Sequence, residues 1–318
     1  MKERVRELIR AGGDPAALAL ELFAWQMEHI PAYRGFAGEA RPAHWTEIPA
    51  VPSALFQDLL FCAAEQPGAI FRTSGTTVGR RGLHAMPDTE VYELAAATWF
   101  GQCLPDCPVE RTLSLVTNPA EHPDSSLGHM VRAFAPGARW FFTPERGVDA
   151  AGAWEALQRA REPVFVPATA FALAELLDSP GQAELPAGSV LMVTGGFKGR
   201  RGEVQPAVLA AEATRRLGSG LRLVGEYGMT ELSSQLWDLG DGFRPPPWLL
   251  VNTVDPASGA PCAGEGLLRF VDLANWGSCL AIETLDLGEV REGRVFLRGR
   301  LAGAPLRGCS LSAEEARA

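Results

Sequence analysis

With 318 residues, 47% of them hydrophobic and 21% charged, the chain is long and apolar enough to bury a large core and has no low-complexity tract. Its formal net charge of −9 argues against a nucleic-acid-binding surface, which shows a basic patch. Met1-Lys-Glu-Arg-Val-Arg-Glu7 leads into no apolar signal region, and no run approaches the roughly 18 apolar residues of a membrane span, so a cytoplasmic location is expected.

In that setting the six cysteines are expected as thiols. Cys103 and Cys107 form a C-x3-C pair, but no second pair or nearby histidine completes a tetrahedral metal site. Leu104, Pro105 and Asp106 read instead as a turn that ends a helix.

The first predicted element is a helix with Asp14 as N-cap and Pro15 at its first position, running through Leu18, Leu22 and Trp25. Pro31, Pro42, Pro49 and Pro52 then predict a stretch that threads over the surface. From about residue 88 helices and strands alternate. Helical periodicity near 89–102 precedes a strand at 112–117, and a helix at 126–134 precedes a strand at 139–143. Helices near 149–161, 168–178 and 203–217 precede strands at 164–166, 190–194 and 221–224. This alternation predicts βαβ units and an α/β fold with a mainly parallel sheet. Past Glu231 the pattern changes: Pro245-Pro-Pro247 interrupts it, and β-like runs at 266–271, 279–285 and 294–298 predict a smaller β-rich subdomain from about residue 240.

Three glycine-punctuated segments recur in order, and ligands of open parallel sheets sit beyond the carboxyl ends of the strands, where Thr194-Gly-Gly-Phe197 and Gly225-Glu-Tyr-Gly228 follow strand-like runs. Thr73-Ser-Gly-Thr-Thr77 offers the hydroxyls of Thr73, Ser74, Thr76 and Thr77 around Gly75, a loop suited to polyphosphate oxygens or simply a Ser/Thr/Gly turn. Gly225-Glu-Tyr-Gly-Met-Thr-Glu231 reads as a turn in which Tyr227 packs on a flat base and Glu231 supplies a hard oxygen ligand for Mg²⁺. Its plainer reading makes Glu231 a helix-start carboxylate behind Thr230. Thr284-Leu-Asp-Leu-Gly288 places Asp286 to accept from ribose hydroxyls, or to serve as a turn aspartate. Gly195-Gly196, after a strand, lets backbone approach a base closely. Lysine occurs only at Lys2 and Lys198, and the second lies within Gly195-Gly-Phe-Lys-Gly199, where a compact ammonium would contact phosphate or carboxylate oxygen. Together these segments point to ATP and to activation of a carboxylic acid by adenylation.

From about residue 70 to 311 the chain resembles the adenylate-forming superfamily, and within it the LuxE-type acyl-protein synthetases, most specifically over Gly225–Gln235 and Leu297–Leu311. Asp124-Ser-Ser-Leu-Gly-His-Met130 is also similar to that group. The resemblance implies that residues 73–77 hold phosphate, and that Gly195 and Gly196 border adenine with Tyr227 against it. Glu231 would serve Mg²⁺ and Asp286 the ribose, with Gly228, Thr230 and Arg300 as further nucleotide-binding residues. It further implies that Cys309, in Arg307-Gly-Cys-Ser-Leu311, carries a fatty acyl group as a thioester for an acyl-accepting protein such as an acyl reductase. The implied organisation is a large domain over 1–299 and a short tail over 300–318. The phosphate loop departs from the group's pattern with Val78 and arginines after the threonines. Larger members carry a catalytic lysine in a C-terminal domain; here the chain stops 18 residues after Arg300, and Lys198 is the candidate for that role. An acyl- or aryl-CoA ligase of the same superfamily and a non-catalytic nucleotide-binding protein are the alternatives. There is no G-x-S-x-G elbow of a serine hydrolase.

Overall fold

The computed structural model describes residues 1–73, 81–195 and 206–301. Helices begin where the sequence supplies acceptors for their free N–H groups. The Asp14 carboxylate accepts from the Ala16 and Ala17 amides at 2.9 and 3.2 Å, opening the helix Pro15–His29. Ser125, Asp149 and Thr169 cap Ser126–Phe134, Ala150–Arg159 and Ala170–Asp178 in the same way.

Five strands run parallel, in the spatial order Arg222–Tyr227, Val190–Thr194, Phe165–Thr169, Leu113–Thr117, Arg139–Thr143. Helices Ala150–Arg159, Ala170–Asp178 and Pro206–Leu217 supply side chains to one buried cluster against this sheet. Helices Glu90–Cys103 and Ser126–Phe134 supply a second, built around Phe100, Phe165, Met192 and Trp237. The sheet continues antiparallel through Leu236–Asp238 and Phe243–Arg244 into the β-rich section. There Arg294–Arg300, Ala281–Arg291, Glu265–Asp272 and Leu249–Val254 follow in spatial order. The N-terminal helices pack on this section in a third cluster. The whole is an α/β architecture with a large mixed sheet, one portion mainly parallel and a smaller one β-rich.

Two local expectations are corrected. The proline-rich stretch is not a surface thread: Ile48, Val51, Phe56 and Phe61 are buried, Val51 pairs in parallel with Ile282, and the Tyr33 hydroxyl donates to the Pro49 carbonyl at 2.8 Å. Proline is compatible with an edge position because only one side of such a strand needs its N–H. Likewise Gly225-Glu-Tyr227 is strand rather than turn. It lies in register with Val193 and Thr194 on one side and with Leu236, Trp237 and Asp238 on the other. Pairing on both sides overrides the local preference of glycine. Gly225 suits the site because a Cβ there would sit 3.1 Å from that of Asp238.

Candidate active site

Thr169, Thr194 and Glu226 stand in register at the carboxyl ends of three adjacent parallel strands, the edge at which such sheets open to ligands. Tyr227, one residue beyond Glu226, points to the opposite face. Its hydroxyl donates to Asp286 Oδ2 at 2.8 Å, and Arg300 Nε forms an ion pair with Asp286 Oδ1 at 2.7 Å. Asp286 and Arg300 are cross-strand partners, and the carboxylate is mostly buried. The Tyr227 ring lies near-parallel to Phe270 with centroids 5.8 Å apart and meets Phe243 edge-on at 6.0 Å. Three side chains assigned to the nucleotide by resemblance therefore form one contiguous cluster. Asp286 lies inside the strand Ala281–Arg291, which excludes the turn reading.

The segment after Tyr227 is held by a buried polar network. Asp272 accepts from the amides of Ser233, Ser234 and Ala274 and from the Ser234 hydroxyl, at 2.7 to 3.0 Å. Asn275 Nδ2 donates to the carbonyls of Glu231 and Cys279, while its Oδ1 accepts from Ser233. Gln26, on the helix Pro15–His29, donates to the carbonyls of Asn275 and Trp276. Thr230 and Glu231 form a turn with no helix behind it, so Glu231 is not a helix-start carboxylate. The Thr230 carbonyl accepts from His84 Nδ1 at 2.6 Å. Among the described residues no group of three or more His, Cys, Asp or Glu is arranged to hold a metal alone. The buried Glu231 fits a cation that takes its other ligands from phosphate and water, as Mg²⁺ does.

The hairpin Ala69–Arg72 and Leu83–Met86 carries the hydroxyl-rich segment. Thr73 closes its base: the Thr73 amide donates to the Gly82 carbonyl, and the Gly82 amide to the Thr73 hydroxyl, both at 2.9 Å. Asp124-Ser-Ser-Leu-Gly-His-Met130, for which the sequence suggests no role, supports this hairpin. The Arg72 amide donates to the Asp124 carbonyl, and the His129 ring packs against Phe71. Gly195 adopts φ 83°, a left-handed conformation that favours glycine. Ser74, Gly75, Thr76, Thr77, Gly196, Lys198 and Cys309 lie outside the described residues.

Burial perturbs three ionisable groups here. Glu226 is pushed up to about 7 by desolvation, partly offset by the Thr194 hydroxyl that donates to Oε2. Asp272 rises to about 6, again from desolvation, opposed by its Ser and Ala donors. His84 falls to about 4 because burial disfavours the imidazolium, with the Thr230 carbonyl pulling the other way. The sequence motifs identify none of these. Glu226 is inside a quoted motif but carries no signal of its own, and Asp272 and His84 stand in ordinary strand patterns.

No protein-family model matches the sequence, and no curated protein matches it. Solved structures do. ATP-bound MatB from Rhodopseudomonas palustris is 18% identical with TM-score 0.53, over 74% of this chain and 48% of that one. The O-succinylbenzoate coenzyme A synthetase from Bacillus subtilis, in complex with AMP, is 18% identical with TM-score 0.50, over 74% of this chain and 50% of that one. A long-chain-fatty-acid-CoA ligase from Archaeoglobus fulgidus is 15% identical with TM-score 0.51, over 74% and 52%. The chain thus spans about half the length of the solved proteins it matches. It has the fold of the N-terminal domain of adenylate-forming enzymes.

Proposed function

We propose that this chain uses ATP to convert a carboxylic acid to an acyl-AMP and then passes the acyl group to a thiol. The observation that carries the reading is the Tyr227–Asp286–Arg300 cluster. It sets a buried carboxylate beside the ring of Tyr227 at the carboxyl end of a parallel strand, in a fold shared with proteins solved with ATP and AMP.

Asp286 accepts from the ribose hydroxyls, Arg300 steadies it, and Tyr227 with Gly195, Gly196 and Gly228 borders the adenine. Thr73, Ser74, Gly75, Thr76, Thr77 and Thr230 serve the phosphates. Glu231 would hold Mg²⁺, whose positive charge would offset the negative charge of the phosphates. An oxygen of the substrate carboxylate bonds to the α-phosphorus, and the bond from that phosphorus to pyrophosphate breaks, the electron pair leaving with pyrophosphate. Lys198 offsets the charge on the transferring group, which is mainly an electrostatic and positioning effect. In the second step the Cys309 thiolate attacks the acyl carbon, the carbon–oxygen bond to AMP breaks, and AMP departs. The thiol proton goes to solvent. Delivery to a protein such as an acyl reductase follows from the thioester.

The likeness to coenzyme A synthetases favours a second reading, in which coenzyme A is the acceptor. Acid-dependent pyrophosphate release, followed by mass spectrometry of the protein and assay of acyl-CoA, separates the two. Cys309→Ser is expected to retain ATP–pyrophosphate exchange and lose the covalent acyl adduct, and Lys198→Ala to slow acyl-adenylate formation. Full labelling of the Cys309→Ser protein removes the thioester step. Absence of pyrophosphate release with every acid tried leaves a nucleotide-binding protein without catalysis.

A further inference from the structure

Two consecutive residues of one strand serve opposite faces of the sheet. Tyr227 belongs to the side of Asp286 and Phe270, and Glu226 to the side of Thr194, in the region bordered by Tyr92 and Trp237. Glu226 is only 5% exposed and stands where the parallel strands end. A carboxylate has about four acceptor sites. Among the described residues Glu226 accepts from the Thr194 hydroxyl alone, and no Lys, Arg or His pairs with it. Its Oε1 lies 2.5 Å from where a Cβ on residue 228 would be, so glycine at 228 leaves the room this carboxyl group occupies. Across the ladder, Trp237 is wholly buried and its indole Nε1 finds no acceptor among the described residues. The neighbouring loop has its own anchor in Asp272, so holding that loop does not require an acid at 226.

We propose that Glu226 is a specificity residue that recognises a hydrogen-bond donor, an amine or a hydroxyl, carried by the organic acid away from its reacting carboxylate. This rests on the adenylation reading. A donor on the substrate fills acceptor capacity that the described residues leave unused, and an ammonium also supplies a counter-charge that none of them provides. A plain alkyl tail does neither and leaves a desolvated carboxyl group facing methylenes. Sites built around a buried polar group reject analogues that lack its partner far better than apolar pockets reject small size changes. The substrate class is therefore an amino- or hydroxy-substituted acid rather than an unsubstituted fatty acid.

Pyrophosphate release by the full chain is measured with acids of equal length in three sets: alkyl, hydroxy-substituted and amino-substituted at successive carbons. Each set is run with the wild type, Glu226→Gln and Glu226→Leu. The wild type is expected to favour at least one donor-bearing acid over its alkyl counterpart by roughly ten-fold or more in kcat/KM. Glu226→Gln keeps a preference for hydroxyl and loses any for amine, and Glu226→Leu favours the alkyl series. Equal or better use of alkyl acids by the wild type overturns the proposal and leaves adenylation standing. Release with no acid in any set overturns adenylation, and the proposal with it. If the leucine variant does not fold, the wild-type and glutamine comparison still decides.

Discussion

Two buried carboxyl groups flank the segment that follows Tyr227, and they are satisfied very differently. Asp272 is wholly buried and accepts four hydrogen bonds, three from backbone amides that the chain must place somewhere. Glu226 is nearly as buried and, among the described residues, accepts one, from a threonine hydroxyl. The first is a structural anchor, since its donors would themselves be stranded without it. The second gives the protein little that a neutral side chain would not, and it stands at the carboxyl end of a parallel strand. Burial raises both groups, so burial does not tell these two apart; the number and kind of donors does.

Asp272→Ala tests that contrast most severely. It strands the Ser233, Ser234 and Ala274 donors in the interior and is expected to cost on the order of 3–5 kcal/mol in urea-denaturation stability. A loss under about 1 kcal/mol would erase the distinction. The pH dependence comes next. Glu226 binds its proton more tightly folded than unfolded, so the contribution to stability falls as pH rises from 4.5 through about 7, by on the order of 3 kcal/mol in total. Glu226→Gln should remove that slope and be the more stable protein at pH 8, measured by denaturation across the range. Asp272 adds a slope of the same sign from 3.8 to about 6, and His84 one of opposite sign, with stability lost as pH falls from 6.5 to about 4.

Smaller effects belong to the other face. Asp286→Ala is expected to weaken ATP binding by roughly 10- to 100-fold in titration calorimetry, as the charged acceptor proposed for the ribose hydroxyls is removed. Tyr227→Phe deletes only the donor to Asp286 and should weaken binding a few-fold, with stability changed by about 1 kcal/mol. Unchanged nucleotide affinity in both variants would detach this cluster from ATP and sharpen interest in the Glu226 side.

Much of the fold was legible because its causes are local. Asp14 before Pro15 opens a helix by an interaction two and three residues long, and the strand boundaries 139–143 and 190–194 follow from short apolar runs. Leu249–Val254 and Leu236–Asp238 were not anticipated, because Pro245-Pro-Pro247 interrupts the pattern between them and their pairing partners are elsewhere. The anchor of the Tyr227 segment was illegible for the same reason: Gln26 reaches Asn275 across 249 residues.

The amino-acid sequence by itself determined the alternation of helices and strands, the caps, and the order of the glycine-punctuated segments, since each depends on neighbours a few positions away. Only the tertiary structure decided that Tyr227 bonds to Asp286, 59 residues on, because strand order sets which side chains meet. It also decided that Glu226 is a nearly dehydrated acid with a single donor among the described residues, since the loss of water around a carboxyl group depends on what the whole fold packs against it.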